Sequence, residues 1–197
     1  MTPPRPTLIA DAAIDLIADA GLRGLTHRAV DDASGLPAGS TSNLARTRAA
    51  LLELVLTRIV ERETADYPVF VEGRLPESTL PARRLLVEIG AEVLFQALTS
   101  GRRLTLARLE LALEATRRPE LRTVYDRLGA RFAQLAAELL AAVGSADPVA
   151  DARRLIRWCD GVLFNATAGS GHWHVPTPEE LREEIDRYLT ALLGAEV

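Results

Sequence analysis

The 197-residue chain contains no lysine, so all 23 of its positive charges are arginines. It has one cysteine (Cys159) and three histidines (His27, His172, His174). A single thiol excludes a disulfide framework and a cysteine-rich zinc module. Three histidines supply little for a histidine-built metal centre, and neither a metal nor another cofactor is expected. No window approaches the roughly 18 uncharged apolar residues that a membrane span needs. The apolar stretch from Leu8 is interrupted by Asp11, Asp15 and Asp19, where a secretory signal would keep its run unbroken. A cytoplasmic protein without membrane contact is the expectation. Catalytic signatures are missing as well: no Ser/His/Asp set, no glycine-rich phosphate loop and no HExxH motif occurs. The net charge of −4 argues against a surface coated in positive charge, yet leaves room for a local basic footprint.

What the chain does have is apolar material: hydrophobic residues make up 48% and charged residues 25%, enough to bury a core. Alanine and leucine abound, and with the all-arginine usage this reads first as coding bias. The arginines still act physically, because their planar fork suits phosphate and carboxylate. Helical periodicity runs throughout and no period-two strand stands out. The fold class is therefore all-α, with nine helices.

Residues 1–6 hold Pro3, Pro4 and Pro6 and read as a flexible arm. A first helix follows over 7–20, with aspartates on the face opposite its apolar stripe, and Gly21 ends it. Thr26 caps a short helix over 27–34, closed by Gly35, and a second short segment covers 38–44. Thr47 caps a long amphipathic helix to about residue 65. Residues 67–79, with Pro68, Gly73 and Pro76, read as a connecting loop. Helices are then expected over 85–98, 104–116, 119–143, 148–168 and 178–193. Asp147-Pro148 and the capping box Thr177-Pro178-Glu179-Glu180 mark the starts of the last two.

The informative stretch is Thr26 to Leu52. Two short helices joined by a tight glycine-containing turn make a helix-turn-helix, supported by a longer helix on each side. The second is small and polar: Ala38, Gly39, Ser40, Thr41, Ser42, Asn43. A helix laid in the major groove needs short side chains for close approach, and donors and acceptors for base edges. Arg28, Arg46 and Arg48 stand nearby, and Thr26, Thr41 and Thr47 add hydroxyls for phosphate oxygens. A plain polar turn is the competing reading. Residues 1–48 carry five arginines and five acids, so any footprint must come from how the charges are distributed in space.

The arrangement from Gly21 to Leu52 resembles the DNA-binding domain of the TetR family of transcriptional regulators. Gly21 ends the first helix, Thr26 caps the second, Ser34-Gly35 stands at the turn, and Arg48-Ala49-Ala50-Leu51-Leu52 opens the fourth helix. The sequence departs from the family in three places. Leu44-Ala45 takes the positions of a usual Tyr then Phe, Ser42 replaces another common tyrosine, and Asp31 replaces a usual small residue. The resemblance implies a helix-turn-helix DNA-binding domain over 1–48, with Thr26, Arg28, Ala38–Asn43, Arg46, Thr47 and Arg48 at the DNA. It also implies a helical ligand-binding and dimerisation domain over 49–197.

By the same resemblance, the middle helices would enclose an effector and the last two would pair with a second subunit. Phe95, Leu106, Leu109, Leu113, Trp158, Val162 and Phe164 are the candidate apolar lining. Glu110 and Asn165 are candidate orienting groups for a mostly apolar small molecule. The stripe Leu181, Ile185, Tyr188, Leu189 and Leu192 on the final helix is the candidate dimer seam, although packing within one subunit explains such a stripe equally well. The expected function is a ligand-responsive homodimeric repressor on a pseudo-palindromic double-stranded operator. The alternatives are a helical ligand-binding or protein-interaction module whose head no longer binds DNA, or an all-helical enzyme.

Overall fold

Ile9, Ala13, Ile14 and Ile17 recur on one face of the first segment and wind it into α1 (Arg5–Gly24), burying that face. The structure is a computed structural model that describes residues 3–65 and 74–194. Residues 67–73 of the expected loop and residues 1–2 of the expected arm lie outside the described residues. The arm is shorter than expected, because Arg5 and Pro6 already belong to α1, proline being tolerated where the amide has no partner. Gly21 breaks the helix as expected: its φ of 64° suits a residue without Cβ, and the last turn to Gly24 follows that kink.

α2 (His27–Ser34) begins where the Thr26 hydroxyl accepts from the Ala29 amide and ends at left-handed Gly35. α3 is shorter than the 38–44 expectation and spans Ser40–Leu44. Ala38 and Gly39 belong to the preceding turn, in which Gly39 adopts a φ of 90°. α4 (Arg48–Ala65) starts at Thr47, whose hydroxyl accepts from the Ala50 amide. There follow α5 (Ala82–Leu98), α6 (Arg102–Ala115), α7 (Pro119–Ala142), α8 (Pro148–Thr167) and α9 (Pro178–Leu193). The Asp147 cap and the reciprocal Thr177–Glu180 capping box both form. The described residues thus make nine helices and no strand, an all-α fold.

Packing divides the described residues into two compact units, one of residues 3–65 and 103–128, the other of 74–102 and 129–194. In the first, Ile9, Ile14 and Ile17 of α1 and Val30 of α2 meet Leu51, Leu52, Val55, Leu56 and Ile59 of α4. Leu104, Leu111 and Leu121 join the same core. The expected boundary at 48/49 therefore falls inside this unit, because α4 supplies much of the floor beneath α1 and α2. In the second unit, Leu86, Val87, Ala91 and Leu94 of α5 pack with Leu139 and Leu140, Leu163 of α8, and Leu181, Ile185 and Leu189 of α9.

That second core corrects the expected dimer seam. Leu181, Ile185 and Leu189 are fully or nearly fully buried within their own chain, since α9 turns its apolar stripe onto α5. Tyr188 and Leu192 are half-buried, and the Tyr188 ring stacks on Trp158 with centroids 5.3 Å apart. No described helix is long and apolar enough to cross a membrane.

Candidate nucleic-acid interface

α3 makes only a single helical turn and cannot hold itself, since nucleating a helix orders several residues for very few internal bonds. α2 grips it from both ends. The buried Asp31 carboxylate accepts the Gly39 amide at Oδ2 and the Thr41 amide at Oδ1, each at 2.7 Å. At the other end, His27 Nε2 lies 2.7 Å from the Ala45 carbonyl, and since a carbonyl only accepts, that nitrogen carries the proton. Hydrogen bonding from Thr41 holds Asp31 below the usual carboxylate range. The Thr41 and Gly39 amides and the His27 ring act in the same direction, and burial opposes them. Asp31, a departure from the family pattern, is therefore the cap of the second helix of the motif. Its signal in the sequence is faint, because capping groups are normally sought just before a helix, not eight residues earlier on another one.

The grip decides which side chains of α3 face outward. Thr41 is fully buried and Ala45 nearly so, whereas Ser42, Asn43 and Leu44 are exposed. Thr41, expected at the DNA, belongs instead to the interior of the head, because its amide must reach Asp31. Ser40 is half-buried, with its hydroxyl donating to the Pro37 carbonyl at 2.6 Å. Arg48 is a second correction. It was expected to meet phosphate, but its guanidinium donates inward to the carbonyls of Leu25 (2.7 Å) and Leu22 (2.5 Å). The break at Gly21 leaves those carbonyls in need of donors, and Arg48 ties the end of α1 to the start of α4. Ala38, Arg46 and Thr47 are exposed, as are Thr26 and Arg28, while Gly39 is half-buried in the turn.

Charge is sorted in space as the sequence balance required. Asp11 is held by Arg58 at 2.9 Å and by Arg62, and Arg103 of α6 bridges Asp15 (2.9 Å) and Asp19 (2.6 Å). Hydrogen bonding from Arg103 lowers the Asp19 pKa. With Asp31 satisfied by amides, Asp32 is the acid of this stretch left facing water beside the motif. It makes a loose 3.9 Å pair with Arg28, whose side chain is 91% exposed. Arg28 and Arg46 thus stand outward near α3 with little local opposition.

The candidate effector residues are distributed over both units. Leu106, Leu109, Glu110 and Leu113 lie on α6 in the first unit, and Leu113 is 60% exposed, so it lines no cavity within that unit. In the second unit, Phe95, Trp158 and Val162 pack against the core. Trp158, Val162 and Asn165 also line an open groove of about 500 Å³, together with Gly161, Trp173 and Glu184. Asn165 is exposed, its amide lying against Gly171, where a Cβ would sit 2.0 Å from Oδ1. Phe164, expected in the lining, is 53% exposed, because the outward face of α8 carries it. Among the described residues, no three His, Cys, Asp or Glu side chains gather as a metal site would.

A family model of the tetracyclin repressor-like C-terminal domain matches residues 81–195. The chain belongs to the TetR family. Solved structures agree over nearly all of its length. A TetR-family member from Streptomyces coelicolor A3 is 30% identical, with a TM-score of 0.70, covering 94% of this chain and 98% of its own. The multidrug binding protein EbrR, complexed with ethidium, is 30% identical, with a TM-score of 0.65 and coverages of 95% and 99%. A transcriptional regulator from Rhodococcus sp. Rha1 shares the fold at 21% identity, with a TM-score of 0.78 and coverages of 98% and 99%. No curated protein matches the chain. As a TetR-family member, the protein is a DNA-binding transcriptional regulator and not an enzyme.

Proposed function

We propose that the protein is a homodimeric repressor that lays α3 of each subunit in the major groove of a pseudo-palindromic operator and leaves it when a small, mostly apolar effector binds. The observation that carries this reading is α3 itself: a one-turn helix fixed at both ends by Asp31 and His27, with Ser42 and Asn43 turned outward. Asn43 has the donor and acceptor pair that matches adenine N6 and N7. Arg28 and Arg46 serve the phosphates. The Thr26 and Thr47 hydroxyls, while capping their helices, keep a proton to donate to phosphate oxygens. Residues 1–48 carry these contacts, and residues 49–197 hold the effector and the second subunit, in the cytoplasm where DNA is reached.

The second subunit is assigned to the outward faces of α8 and α9. Trp173 is 79% exposed, Phe164 lies on the same side of α8 as Gly161, and a Cβ at Gly161 would meet nothing within 4 Å. A flat helix face with large rings and a glycine suits close packing against another helix. The 500 Å³ groove belongs to this face. The effector reading rests on Phe95, Trp158 and Val162, half-buried apolar groups of one core, and on the ethidium held by EbrR at 30% identity.

The test is selection of bound sequences from a random double-stranded DNA library, followed by titration of the enriched DNA at several salt concentrations. The expected product is an inverted repeat with half-sites about one helical turn, or a multiple, apart. Asn43→Ala should relax base preference while keeping the salt slope, and Arg46→Ala should weaken all sequences and flatten that slope. Absence of any enriched sequence would leave a helical ligand-binding module whose head does not read DNA.

A further inference from the structure

Among the described residues 3–65, Leu44 is the one large hydrophobic side chain left exposed, at 44%. Other leucines, isoleucines and valines of that stretch are buried or half-buried. The exception stands on α3, beside Asn43, in the arc that faces outward. Its direction is set by the fold. Thr41 and Ala45 must face inward, the Ala45 amide donates to the Thr41 carbonyl at 2.8 Å, and His27 pins the Ala45 carbonyl. Leu44 therefore cannot turn into the core without releasing the grip on the helix.

We infer that Leu44 is a specificity-determining residue that reads the 5-methyl group of thymine. The major groove presents hydrogen-bond donors and acceptors at every base pair and only one apolar group, the thymine methyl. An aliphatic side chain on a groove-facing helix gains nothing from base polar edges, and it desolvates them at a loss. Against a thymine methyl both apolar surfaces leave water together. The inference rests on the proposal that α3 enters the groove.

Deoxyuridine tests it, since it differs from thymidine only by that methyl. The probe is the double-stranded DNA enriched by the wild-type protein from a random library, with each thymine replaced singly and then symmetrically in both half-sites. Wild type should lose affinity by about fourfold at one thymine per half-site, and by roughly fifteenfold when both are replaced. Leu44→Ala should bind unsubstituted DNA about as weakly as wild type binds the doubly substituted DNA, and should then be indifferent to the same replacement. Because Leu44 is exposed, the variant should keep the wild-type melting temperature, which is measured alongside. Indifference of the wild type to every replacement overturns the inference, and so does undiminished sensitivity in Leu44→Ala. Asn43→Ala separates the two possible failures. If it too leaves base preference intact, α3 is not the reading helix. If it abolishes preference while deoxyuridine has no effect, only the role of Leu44 falls.

Discussion

At the scale of single residues, Asp31 and Arg48 show how a charge in a DNA-binding head serves the protein before it serves the ligand. Asp31 accepts two amides at 2.7 Å where the chain turns into α3. Asn at this position offers one acceptor oxygen for two donors, so Asp31→Asn should cost about 2 kcal/mol in unfolding by urea. The pH dependence has a definite sign. Its folded pKa is lowered, so the stabilisation is complete above the unfolded value near 4 and is lost as pH falls through the folded value. An acid titration of stability in wild type and Asp31→Asn should therefore diverge above about pH 4 and converge below it. Parallel curves would show that the carboxylate charge does not matter. Arg48→Ala should lower the melting temperature while leaving the salt slope of DNA binding unchanged, because the guanidinium holds the Leu22 and Leu25 carbonyls. A flatter slope at unchanged stability would return Arg48 to the phosphates.

At the scale of elements, α9 separates two meanings of an apolar stripe. Periodicity alone marks Leu181, Ile185 and Leu189 as one face, and that face is equally suited to a partner or to the chain's own core. Packing decides for the core, since all three are buried on α5. Leu189→Glu should accordingly unfold the second unit, costing more than about 3 kcal/mol for a buried unpaired charge. Phe164→Glu, on the exposed face of α8, should leave helicity and melting of the isolated subunit intact and yield a monomer by light scattering. A folded monomer from Leu189→Glu, or an intact dimer from Phe164→Glu, would reverse the assignment of faces. α3 offers the complementary lesson. Its polar composition is legible in the sequence, but its start at Ser40 and the inward turn of Thr41 depend on Asp31 of another helix.

For the whole molecule, regulation requires that an effector bind one arrangement of the protein better than another, since DNA affinity can shift by no more than that difference. Ethidium, held by EbrR, is the natural first probe. At a hundredfold excess over its dissociation constant, a ligand confined to the folded state adds about 2.7 kcal/mol. That corresponds to a rise of roughly 5–11 °C in melting temperature for a chain of this size. The same concentration should weaken binding to the enriched DNA. A thermal shift without loss of DNA affinity would mark binding that is not regulatory.

The sequence by itself determined the order of the helices and those of their ends that a local cap or break sets. Caps such as Thr26, Asp147 and Thr177, and the break at Gly21, act on neighbours a few residues away, so chain order is enough to find them. It also carried the family, through the spacing of Gly21, Thr26, Ser34-Gly35 and Arg48–Leu52. Only the tertiary structure decided which way each helix rotates, and with it the fate of Thr41, Leu113, Phe164 and Leu189. A stripe fixes a face but not its neighbour. Likewise the bonds that orient α3 join residues 8, 10 and 18 positions apart, and those that anchor Arg48 span 23 and 26. Such contacts exist only once the cores have closed, which is why a carboxylate that looked out of place is the cap of α3, and an arginine that looked free for phosphate is a clamp.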